Sequence, residues 1–137
     1  MASSPEGVSP LAAAIDTIEE TYEYMLAYAA QGRRVEEDGS SSSIREYLNK
    51  SIAALDLVCA ATPETAGVTG RQAIEDARPF LDVIRDDARK AQAAFRFVVS
   101  QHSIGSQIVD NLNASIHVRA LLTDLFLLDE SLKISGL

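Results

Sequence analysis

Between Ile74 and His102 apolar or small residues recur in steps of three and four without a miss: Ile74, Ala77, Leu81, Ile84, Ala88, Ala91, Phe95, Val98 and His102. An α-helix of 3.6 residues per turn brings such positions onto one face. A repeat held over about four heptads predicts a long helix with a core-facing stripe. The rest of the chain has to pack around it.

The neighbouring segments read the same way. Ser9-Pro10 starts helix one: Ser can cap, and Pro suits a first-turn position whose amide has no helical partner. Leu11, Ile15, Ile18, Tyr22, Met25 and Ala29 form its inward stripe, which ends near Gly32. Ser43-Ile44-Arg45-Glu46 is a capping box, and helix two follows with Ile44, Leu48, Ile52, Leu55 and Cys59 inward. Thr62-Pro63 stops it, because the residue before proline is pushed out of helical geometry. Thr69-Gly70-Arg71-Gln72 has the form of a second box and opens helix three. Pro79 falls on the far side of helix three's stripe, so the spacing predicts a kink there rather than an end. Around Ser103-Ile104-Gly105-Ser106 a turn is expected. A fourth helix then runs from about Gln107 to Lys133, with Ile108, Leu112, Ile116, Leu121, Leu125 and Phe126 among its inward residues.

Together these give an all-α fold, a mostly antiparallel four-helix bundle with helices three and four longest. At 137 residues one domain is expected, over 9–134, with a loose tail at 1–8 and a mobile loop at 32–42. The absence of Trp and the abundance of Ala and Leu fit close helix packing better than a strand-rich sandwich.

Charge excludes more than it assigns. The net charge is −8, and residues 1–31 carry five acids (Glu6, Asp16, Glu19, Glu20, Glu23) and no base. No segment presents the basic footprint that phosphate backbones or anionic lipid surfaces require, so neither nucleic acid nor a membrane is an expected partner. MASSPEGVSP lacks a signal peptide's basic and apolar regions, and no run is apolar enough to span a bilayer, which makes the cytoplasm the expected compartment. The single cysteine, Cys59, lies on a core stripe with no base nearby in sequence and reads as a packing residue.

Motifs for chemistry are missing. Neither His102 nor His117 has Glu three residues before it, as a carboxylate-bridged di-iron bundle requires. One Cys and two distant His do not make a zinc site, and no Gly-x-Ser-x-Gly elbow or complete phosphate loop occurs. No catalytic residue, metal or cofactor is therefore expected. His117 could act as the phosphoacceptor of a histidine-phosphotransfer-like bundle, but His117-Val118-Arg119-Ala120 lacks the Lys and Gly such domains place after it. In the loop, Ser40, Ser41, Ser42 and Ser43 follow Arg33 and Arg34 and could accept phosphate near a helix start.

One surface feature stands out. With Tyr22 at the centre of helix one's stripe, Tyr24 and Tyr28 point away from the core and join Ala13 and Thr17 in a second stripe. A helix apolar on two sides is sandwiched. Thr17, Tyr24 and Tyr28 are thus the expected interface, with cover by another part of the chain as the alternative. The functional expectation is a small acidic interaction module (a regulator, adaptor or chaperone-like bundle) that docks a protein partner or forms a homodimer through helix one. The alternative is a bundle holding a small ligand or cofactor in its core.

Overall fold

Residues 9–35 and 43–135 are described in the computed structural model, and they contain five α-helices and no strand. They are α1 Pro10–Ala29, α2 Ile44–Cys59, α3 Arg71–Val99, α4 Ser106–Ala114 and α5 Ile116–Ser135. The predicted tail at 1–8 and residues 36–42 of the predicted loop lie outside the described residues.

The long stripe behaves as its spacing demands. Leu81, Ile84, Ala88, Ala91, Phe95 and Val98 are all buried, and α3 runs through Pro79 without breaking. Pro79 is exposed, where a missing helical hydrogen bond is left to water. Surface pairs Asp82–Arg85, Asp86–Arg89 and Asp86–Lys90 line its outer face. α3 packs against α2, α4 and α5, while α1 packs against α2 and α4. Side chains fix the order of these contacts. Arg45, at the start of α2, donates to Val99 O (2.5 Å) and Gln101 O (3.1 Å) at the end of α3. Gln92 reaches Ile52 O and Asp56 (both 2.8 Å), and Arg85 reaches Ala61 O (2.6 Å), so α2 and α3 run antiparallel.

The expected fourth helix is two helices. At Ser115 the backbone turns extended (φ −59°, ψ 130°), ending α4. The Ser115 hydroxyl then accepts from His117 N (3.2 Å), and its carbonyl takes the first helical bond of α5 from Arg119 N (3.0 Å). Serine can satisfy a helix start in this way, which makes the break cheap. The break also resets the helical phase, so Ile116, expected inward, is 74% exposed, and Phe126 is 51% exposed. Val118, Leu121, Leu122, Leu125 and Leu128 form the inward face of α5.

Two boundaries also differ from expectation. Thr69 does not cap α3. The cap residue is Gly70, at φ +94°, a conformation that favours glycine, and no side-chain bond closes the turn. α3 stops at Val99, so His102 lies beyond it and is exposed rather than on the core stripe.

Candidate interaction surface

Helix one does not present the expected tyrosine stripe to solvent. Tyr28 is buried, and its hydroxyl donates to Ile104 O at 2.5 Å. Tyr24 is half-buried, stacked on Tyr47 of α2 with ring centroids 4.0 Å apart. Thr17 is half-buried and its hydroxyl bonds back to Ala13 O (3.1 Å). The reason is a phase error in the sequence reading. The buried set is Leu11, Ala14, Ile15, Ile18, Thr21, Met25 and Tyr28, whose centre lies ~60° from Tyr22 at ~100° per residue. Taking Tyr22 as the centre swung Tyr28 to the back. Cover by the chain itself, the alternative reading, describes both tyrosines.

The other sequence-marked residues are scattered. Ser40, Ser41 and Ser42 lie outside the described residues. Ser43 is the N-cap of α2, accepting from Glu46 N at 3.0 Å. His117 is exposed on the first turn of α5. Cys59 is half-buried, and burial pushes its thiol above the usual value, which disfavours the nucleophilic thiolate. Among the described residues no group of three His, Cys, Asp or Glu could hold a metal ion.

The start of the predicted mobile loop is anchored. Arg33 N donates to Ser106 Oγ (2.8 Å), Ser106 N donates to Arg33 O (2.8 Å), and Ser106 Oγ donates to Tyr28 O (2.8 Å). These bonds frame an open cleft of about 630 Å³ bordered by Arg33, Arg34, Gln101 and Asp110. Its polar groups are largely used in joining α1 to α4, and Asp110 opposes an anion there.

Large apolar side chains are exposed at Leu26, Val35, Leu57, Val83 and Phe97, and three more lie on the outer side of α5. Ile116, Phe126 and Leu127 are exposed by 74%, 51% and 59%. Ile116, Ala120, Thr123 and Leu127 follow one another at four, three and four residues, so they share a face. That face lies opposite Val118, Leu121, Leu125 and Leu128. α5 is thus apolar on two sides with only one side packed. Sequence reasoning missed it because one continuous helix merged both sets into a single broad face; the signal was two parallel stripes, one spaced four-three-four and the other three-four-three. Compared with family models, curated proteins and solved structures, the chain matches none.

No helix among the described residues is long and apolar enough to cross a membrane. The apolar outer side of α5 therefore lacks the length and hydropathy of a spanning segment.

Proposed function

We propose that this chain is a small acidic helical interaction module, cytoplasmic, that works by docking a protein surface. The observation that carries the reading is the outer face of α5, where three large apolar side chains stay exposed on a helix already packed on its other side. Keeping such side chains in water forfeits roughly 1.5–3 kcal/mol apiece relative to burying them. Clustered exposed apolar residues of this kind mark interaction sites more often than scattered ones do. The homodimer expected through helix one is better placed on α5, since Tyr28 is consumed by the core.

The test substitutes Leu127→Glu together with Ile116→Glu. Both side chains are exposed, so helicity by circular dichroism should be unchanged. Association, read as solution molar mass by light scattering or as retention of a bound protein partner, should be lost. Unchanged association would remove α5 from the account.

A second reading has one specific support. A groove of about 630 Å³ between the 66–69 turn, α3 and the end of α5 is bordered by Val68, Phe80, Leu81, Leu128 and Leu132. It suits a small apolar ligand, and native mass spectrometry of the purified protein would reveal one as added mass.

A further inference from the structure

We infer that Asp87 and Asp124 form a proton-held latch between α3 and α5, and that loss of the shared proton lets α5 swing from α3 about the break at Ser115. The register of the two helices sets the acids face to face. Leu81 of α3 and Leu128 of α5 border one groove, with Ala77 and Leu132 further out along it. Following α3 forward and α5 back from there, by about one to two turns, brings Asp87 opposite Asp124, and their side chains share a hydrogen bond. Ionised carboxylates only accept, so that bond exists only while one of the two carries a proton. Nothing else replaces it: the Asp124 Oδ2 is enclosed, and no donor reaches it among the described residues. The charged neighbours do not offset ionisation either. On α3 the adjacent Asp86 is turned to Arg89 and Lys90. α4 brings only Asp110, and α5 has no charged residue three or four positions from Asp124. Of these groups Asp87 alone acts on the Asp124 carboxyl.

α5 packs chiefly on α3, so a charge pair at this seam acts on the contact that holds the helix. With the proton gone, two like charges face each other in a partly desolvated place, where water screens them poorly. α5 can respond without unfolding. The helical ladder is already interrupted at Ser115, which is extended, so a change of angle there breaks no bond within either helix. Swinging out uncovers Leu121, Leu125 and Leu128, and that cost keeps the open form a minority. The proton sets how small a minority. In the open form Asp124 returns to its ordinary value of 3.8, against about 7 when latched. Closure is thus favoured most below 3.8, and the advantage is lost as pH rises to about 7, above which both forms are ionised. The latch does not depend on the docking role proposed for the outer face.

The experiment is amide hydrogen exchange of the full chain from pH 5 to pH 8, corrected for the intrinsic effect of pH on exchange. α5 amides should be less protected than those between Leu81 and Val98. Their protection should fall by up to ~10-fold per pH unit, the linkage of one proton, and level off above about 7. Asp124→Asn should flatten this dependence. Asp87→Asn, whose amide can donate to the ionised carboxylate, should flatten it independently. Protection of α5 that ignores pH in the wild type would overturn the latch. So would a slope that survives both substitutions. α5 amides as protected as those of α3 would show that the pair stabilises the whole fold, and would overturn the swing about Ser115.

Discussion

Asp124 of α5 lies against Asp87 of α3, and its carboxyl titrates at about 7, because desolvation, a hydrogen bond shared with Asp87 and the Asp87 charge all favour the protonated form. Its Oδ2 is enclosed, and no hydrogen-bond donor reaches it among the described residues. A carboxyl raised from its ordinary value of 3.8 holds its proton more tightly in the folded state than in the unfolded one. The stability it contributes is therefore complete below the unfolded value and is lost as pH rises through about 7. Asp124→Asn keeps a donor towards Asp87 without the charge. The variant's thermal midpoint should fall less than the wild type's between pH 5 and pH 8, with a gain of ~1 kcal/mol at the upper end after solvent screening. Equal falls in the two proteins would show that Asp124 does not carry the effect. Tyr28 offers a second residue-scale test. Tyr28→Phe removes the donor to Ile104 O inside a buried contact and should cost ~1–3 kcal/mol in denaturant unfolding, since an enclosed carbonyl loses its partner. A neutral result would mean that water replaces the hydroxyl.

At the scale of elements, the join between α1 and α4 is tight. A Cβ on Gly105 would stand 2.6 Å from Arg34 O and 3.0 Å from Arg33 O, both backbone atoms. That segment is held by the paired bonds between Arg33 and Ser106, so it cannot withdraw cheaply. Gly105→Ala should cost ~1–3 kcal/mol, as overpacking does, and a loss under ~0.5 kcal/mol would show that residues 33–34 yield freely. The sequence at 105 promised only a turn; that another stretch of backbone presses on it is a long-range fact no local pattern carries. The stripe of α3 was legible because the six residues it buries, Leu81, Ile84, Ala88, Ala91, Phe95 and Val98, agree on one phase, so the one position that fell beyond the helix, His102, could not move their mean. α1 was less so: its C-terminal half buries Thr21 and Tyr28 where periodicity offered Tyr22 and Ala29, and small polar or aromatic residues fit either side. Asn113-Ala114-Ser115 held a hint of the break, since Asn and Ser compete with the helix for backbone bonds. The apolar residues on both sides hid it. The expected interface failed with the phase of α1, and the uncovered face of α5 could be separated from the packed one only after Ser115 had fixed where α5 begins.

The described helices are arranged around α3, which packs against α2, α4 and α5 and whose buried stripe runs from Leu81 to Val98. Leu81, Ile84, Ala88 and Ala91 have no solvent exposure, so amides along this stretch can reach water only if three packed helices separate. That opening approaches global unfolding in cost. α4 stands at the other extreme. Its nine residues are too few to stay helical alone, and at its start it is held to α1 by Tyr28 through Ile104 and Ser106. Hydrogen exchange should therefore be slowest between Leu81 and Val98, with α4 exchanging faster by a local opening. Tyr28→Phe should accelerate exchange in α4 more than in α3, since it loosens the tie without touching the spine. Were α4 to exchange as slowly as α3 and respond no more to the substitution, the chain would open as a single unit. The Tyr28 contact would then stabilise the whole fold rather than one of its joints.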